Sequence, residues 1–182
     1  MRVAVMGFLL IALGLAPVAA HAAPSQLYGK SVTVKWSETR NQRAVGQEPA
    51  FHPVSLPFTM TVYISSEGHI FRRISAITPN GRQSGAKDRV GASGSSANGS
   101  FAVQFQGNAM VASGSNGGFG LHVQATFDSG FSSCTAQVIG AKQSGSKSVM
   151  LRSIASGATI EVESVSAGSA GCAVGQGNPF AN

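Results

Sequence analysis

Phe58-Thr59-Met60-Thr61-Val62-Tyr63-Ile64-Ser65, then Glu67-Gly68, then His69-Ile70-Phe71-Arg72-Arg73-Ile74, is the stretch that decides the fold. Phe58, Met60, Val62 and Ile64 alternate with Thr59, Thr61, Tyr63 and Ser65. A period of two places the first set on one face of a strand and the second on the other. Glu67-Gly68 between 58–65 and 69–77 predicts a hairpin turn. The same period recurs at Val32, Val34 and Trp36, at Phe101, Val103 and Phe105, and at Leu121, Val123, Ala125 and Phe127. In each case polar or small residues fill the intervening positions, the pattern of an antiparallel sheet covered on one face. Gly107-Asn108 predicts a turn between 100–106 and 109–113, and Asn116-Gly117-Gly118 another before 119–128. Further strands are expected at 134–141, 147–153, 158–165 and 170–174.

No helical stripe persists for three turns beyond the N-terminal apolar run. The expected fold is a single all-β domain, an antiparallel up-and-down β-barrel of about eight strands, with a β-sandwich as second choice. Two stretches depart from the strand pattern. Residues 40–57 carry Pro49, Pro53 and Pro57 and read as a long ordered connection. Residues 79–100 read as a flexible, basic Gly/Ser-rich loop.

The first 22 residues read as a secretory signal peptide. Arg2 opens it, Val3 to Leu15 is nearly unbroken apolar sequence, and Ala20-His21-Ala22 has the small-x-small form of a cleavage site. The domain is then residues 23–182. The reading implies export by the general secretory route to the periplasm or beyond, with no transmembrane helix in the mature chain. Without Arg2 the chain has 12 Lys and Arg against 7 Asp and Glu, a net charge of about +5. Such a surface favours anionic partners. Cys134 and Cys172 are the only cysteines, and an even count in an exported chain predicts a bridge between them.

Chemistry-bearing groups do not converge in the sequence. His52, His69 and His122 accompany many serines, but no Gly-x-Ser-x-Gly elbow leads into a helix. His122 and Asp128 share a strand face but lie roughly 20 Å apart by strand rise, too far to share a metal. Glu161 and Glu163 stand roughly 7 Å apart, a spacing that a solvated strand also produces. The glycine-rich 91–96 stretch has neither the lysine nor the following helix of a phosphate-binding loop. No catalytic residue, cofactor or metal is therefore expected. The cationic candidates for anion contact are Arg72, Arg73, Arg82, Lys87 and Arg89, and the candidates for a cavity lining are Trp36, Phe58, Phe101, Phe105 and Phe127. Arg72 and Arg73 point to opposite faces of one strand, which places one of them at a rim or inside a barrel mouth.

Leu27-Tyr28-Gly29-Lys30-Ser31-Val32, Trp36-Ser37-Glu38 with Arg40, Gly68-His69-Ile70-Phe71, Phe127-x-Ser129 ahead of Cys134, and Cys172 ahead of Gly177-Asn178 carry a resemblance over nearly all of the mature chain. In these motifs the chain resembles a group of small exported all-β proteins of proteobacteria. The resemblance implies export and a shared fold, and it implies no activity and no functional residue.

The expected function is that of an exported, non-enzymatic binding or interaction protein of the periplasm or cell surface. Its partner is expected among anionic envelope polymers, proteins and small apolar ligands, and specific nucleic-acid binding is not expected, because no aromatic residues interleave the cations. A lipocalin-like carrier of a small apolar ligand is the alternative, and a secreted hydrolase a weaker one. An outer-membrane barrel would want aromatic girdles where this chain offers Tyr28, Tyr63 and Trp36. A pilus-type subunit would want a donor strand and an open groove.

Overall fold

The alternation that begins at Val32 runs well past Trp36 and builds the longest strand. β1 is Lys30–Ala44, β2 His52–Ile64 and β3 Ile70–Thr78. In this computed structural model, residues 22–78, 81–85, 87–91, 101–116, 119–142, 148–152 and 157–181 are described. The expected signal peptide, apart from Ala22, lies outside them.

β1 pairs antiparallel with β2 from Ser31↔Tyr63 to Gln42↔His52. Its other edge is shared by two strands laid end to end. β12 (Gly171–Gln176) covers Lys30 to Lys35, and β11 (Thr159–Ala167) covers Glu38 to Ala44. The register jumps from Asn41↔Ser164 to Gln42↔Val162, so Glu163 is the extra residue of a bulge in β11. β10 (Val149–Arg152) extends β11, and β3 extends β2 on the far side. These strands form a strongly curled antiparallel half-barrel. A second sheet is a meander of β6 (Phe101–Gln106), β7 (Ala109–Asn116), β8 (Phe119–Phe127) and β9 (Cys134–Lys142). No α-helix occurs among the described residues, so the fold is all-β, a half-barrel joined to a second sheet over one core.

Residues 40–57 are not a connection. β1 continues to Ala44 and β2 starts at His52, leaving only 45–51 between strands. The prolines argue against strand only where a ladder bond would be lost. β3 reaches no further along β2 than Phe58, so among the described residues Pro53 and Pro57 sit where β2 has one unpaired edge. Part of the 79–100 stretch is also strand. β4 (Gly81–Ser84) and β5 (Asp88–Val90) pair with opposite ends of β3. Backbone pairing to a free strand edge needs few apolar side chains, which is why composition pointed to a loop. Residues 79, 80, 86 and 92–100 lie outside the described ones.

The turns are local and regular. Gly68 takes φ +80°, and a Cβ there would fall 2.7 Å from Tyr28 Oη, so both the backbone and the close approach require glycine. Gly107, at φ +57°, occupies the two-residue turn left by the Gln106↔Ala109 pair.

The inward faces of the two sheets share one core. Val32, Val34, Met60, Val62 and Ile64 from the half-barrel meet Val103, Phe105, Met110, Val123 and Ala125 from the meander, all essentially without solvent exposure. A fully buried side chain of this kind contributes roughly 1.5–3 kcal/mol. One flank of the meander is stapled covalently to the half-barrel. Cys134, the first residue of β9, is bridged to Cys172 of β12 with a Cα–Cα distance of 5.4 Å, and an isolated Ala136↔Ala170 pair lies beside it.

The turn that leads into Cys134 is organised by Asp128. Its carboxylate accepts from the backbone N–H of Ser132 at 2.8 Å, Ser132 Oγ at 2.6 Å and Ser133 Oγ at 3.1 Å. These bonds, those from Ser132 above all, hold its pKa at about 2 against an ordinary 3.8. Phe131 adopts a left-handed φ of +51° in the same turn and buries its ring against Phe127 at 5.3 Å.

Two outcomes follow from this architecture. Replacing both cysteines by serine opens a link of sequence separation 38, and denaturant melts should show a loss of roughly 3–4 kcal/mol. The depressed Asp128 pKa contributes stability that is complete above pH 3.8 and is lost as the pH falls toward about 2. The thermal midpoint should therefore fall across that window in the parent, and Asp128→Asn should flatten that part of the curve.

Candidate functional site

Strand parity carries charge into the half-barrel. Val32, Val34, Trp36, Glu38 and Arg40 are successive residues of the inward face of β1, and Glu38 is 1% exposed. Two neighbours satisfy its carboxylate. Trp36 Nε1 donates to Glu38 Oε1 at 3.2 Å, and Arg40 donates to Oε2 through Nη2 at 2.8 Å and Nε at 3.1 Å. On the facing residue of β2, the Phe58 ring stacks on Trp36 with centroids 5.4 Å apart and an interplanar angle of 12°. The Arg40 guanidinium carbon lies 5.3 Å from the centre of the same ring.

A second arginine enters from β3. Arg72 pairs across the sheet with Val62 of the inward face and is itself buried. Its Nη2 donates to Asp88 Oδ2 at 2.6 Å, Asp88 being the residue opposite it on β5. Its guanidinium carbon sits 4.2 Å from the centre of the Phe101 ring. Its Nε is buried and has no hydrogen-bond partner among the described residues. Burial pushes the Arg72 pKa down, and the Asp88 charge and hydrogen bond oppose that shift.

Between these two arginines lies a cavity of about 350 Å³, bounded by both sheets. Glu38, Arg40 and Arg72 supply its charged wall. Phe58, Ile74, Phe101, Leu121 and Leu151 supply its apolar wall, and Gly114 and Ser115 complete it. The combination of apolar walls with a few convergent polar groups is the usual form of a small-molecule site.

The residues singled out in the sequence distribute as follows. Phe58 and Phe101 line the cavity, and Trp36 packs behind Phe58. Phe105 and Phe127 are buried in the shared core and are not among the lining residues. Among the candidate cations whose side chains are described, Arg72 alone faces inward. Arg73, one residue along β3, has its guanidinium carbon 5.1 Å from the Phe180 ring centre, and its Nε is buried without a hydrogen-bond partner among the described residues. Lys87 Nζ lies 5.2 Å from the centre of the Phe71 ring, and Arg89 Nη2 is 3.0 Å from His69 Nδ1. The Arg82 side chain lies outside the described ones. The four described cations thus have different surroundings, Arg72 in the interior, Arg73 beside Phe180, and Lys87 and Arg89 at the exposed edge formed by β5.

Glu38, Arg40 and Asp88 belong to the site and were not singled out. The signal for the first two was present, since they continue the inward parity of Val32, Val34 and Trp36. Glu161 and Glu163 are held by neighbours. Glu161 accepts from Arg43 at 2.8 Å and Ser148 at 2.7 Å, and Glu163 from Asn41 at 2.6 Å. The Ser148 and Arg43 bonds lower the Glu161 pKa. Among the described residues no three His, Cys, Asp or Glu side chains gather as a metal site, and no helix is long and apolar enough to cross a membrane. No family model, curated protein or solved structure matches the chain.

The buried pair has a measurable signature. Arg40→Ala leaves a carboxylate with 2% side-chain exposure without its cation, and urea melts should show a loss of about 3–5 kcal/mol. The double variant Glu38→Leu with Arg40→Met should recover most of that loss, because desolvating two charges costs about as much as their attraction returns.

Proposed function

We propose that this protein is an exported, non-enzymatic binding protein, and that the cavity between Arg40 and Arg72 is where it holds a small amphipathic ligand. One observation carries the reading. A space of about 350 Å³ with Phe58, Ile74, Phe101, Leu121 and Leu151 on one side keeps three charged side chains on the other. An apolar filling would be at least as stable as a buried ion pair. The charges are therefore better explained by what they contact in the cavity than by stability. The apolar run and cleavage-like site at the N-terminus support export, and the Cys134–Cys172 bridge and the absence of a membrane-spanning helix among the described residues are compatible with it.

A second reading places the interaction on the outer face. Phe71 and Tyr63 stack there with centroids 6.3 Å apart, and Lys87 lies over Phe71. Arg89 is paired with Phe71 across the sheet edge. This face suits an anionic envelope polymer, and such binding should collapse with added salt.

Native mass spectrometry of the protein purified from the envelope of its own host tests the first reading. A reproducible extra mass that leaves on denaturation is expected in the parent. In Leu121→Trp, where an indole occupies part of the cavity, that mass should be absent. A bare protein in both samples, together with salt-sensitive binding to an anionic polymer, would transfer the function to the outer face.

A further inference from the structure

The outer faces of the two sheets differ in charge. On the half-barrel, Lys35 of β1 and Arg73 of β3 point outward, and Lys87 and Arg89 stand at the edge formed by β5. The outer face of the second sheet carries no formal charge. Burial of Val103 on β6, Met110 on β7, Val123 on β8 and Val138 on β9 fixes the inner parity of each strand. Every outward position of the four strands is then Gly, Ala, Ser, Thr, Gln, Val, Ile or His. An ordinary protein surface is about a quarter to a third Lys, Arg, Glu and Asp. The acidic residue next along the chain, Asp128, lies past the end of β8, and its carboxylate is occupied by Ser132 and Ser133.

Two rows give this face its chemistry. Gln104, Val111, Gln124 and Gln137 stand opposite one another across the four strands. In the adjacent row His122 stands opposite Ile139. The three glutamines are exposed. Ile139 is 60% exposed, more than any other large hydrophobic residue among the described ones.

Charge and size select the partner. Two copies of a net cationic chain repel where their cations meet, and this face brings no cations together. An anionic polymer finds nothing to pair with on it. Each glutamine amide both donates and accepts, so a row of them is complementary to a copy of itself. Four strands about 4.8 Å apart, with β8 and β9 each nine residues long, cover about 500 Å² in plan. Side-chain relief raises the accessible area toward the roughly 800 Å² per partner of a stable complex. Depletion of charge is also what marks the core of protein–protein interfaces.

We infer that the protein forms a two-fold symmetric dimer, sheet against sheet, through the outer face of β6 to β9. Stacked sheets of this kind lie about 10 Å apart with their strands within about 30° of each other. The glutamine row enters the contact, and Ile139 leaves water. The cavity is bordered by the inner face of the same sheet, at Phe101, Gly114 and Leu121, so a partner on the outer face covers none of these residues. The dimer is independent of what the cavity holds.

Sedimentation velocity of the disulfide-bonded protein from about 1 to 100 μM, where an interface of this size associates at its weakest, tests the inference. The parent should sediment as a dimer. Added salt should leave that dimer intact or tighten it, because salt screens the repulsion between two cationic bodies. Gln124→Lys, an exposed change that spares the fold, places like charges in one interface and should raise the dissociation constant at least about tenfold. Lys35→Glu, on the outer face of the half-barrel, should not weaken the dimer. A parent that stays monomeric overturns the inference and leaves the face to an uncharged partner of another kind. A dimer that salt dissociates, that survives Gln124→Lys unchanged, or that Lys35→Glu disrupts has its contact elsewhere, and each of these results also overturns the inference.

Discussion

The interior of this molecule depends on the unbroken parity of one strand. β1 keeps the same face inward from Val32 to Arg40, so Glu38 and Arg40 must go where Val34 and Trp36 go. Turning them outward would need a one-residue slip, which would expose every apolar residue of the strand. β2 pairs with β1 from Ser31 to Gln42, with β12 and then β11 on the opposite edge, and those ladders leave no room for a slip. The charges are consequently internal, and the surroundings are built to accept them. Trp36 contributes an N–H, Arg40 a paired guanidinium, and Phe58 a ring face under both.

The same parity rule divides Arg72 from Arg73. Neighbouring residues on β3 have opposite surroundings, Arg72 over Phe101 in the interior and Arg73 beside Phe180 outside. A cationic strand segment thus serves two faces at once. The inner arginine is desolvated and held by Asp88, where its field acts at short range across apolar walls. Lys87 and Arg89 are exposed to solvent, where salt screens them. Net charge alone gives no means of telling these roles apart.

Much of the architecture was legible because it is local. The 58–65 alternation, the Glu67-Gly68 turn and the Gly107-Asn108 turn each depend on residues within a few positions, and they occur as β2, β3 and the β6–β7 hairpin. The pairing of Cys134 with Cys172 needed only a count. What was not legible depended on partners. Pro53 and Pro57 argue against strand until it is known that β3 stops short of them. Gly81–Ser84 carries no apolar pattern and becomes β4 only because β3 offers a free edge. Arg40 reads as the start of a connection because charges and three prolines follow within 40–57, and only the pairing with β2 and β11 shows that the strand continues.

By itself, the sequence determined the all-β class, the hairpins, the bridge and which side chains share a strand face. These properties follow from the two-residue repeat, from glycine's access to positive φ and from having two cysteines. The tertiary structure alone decided that Phe58 and Phe101 border a cavity while Phe105 and Phe127 fill the core, and that Arg72 and Arg40 meet across it. That decision depends on how far the half-barrel curls and how the second sheet seats on it. Both are set by packing between residues distant in the chain, and no local pattern encodes the space left between them.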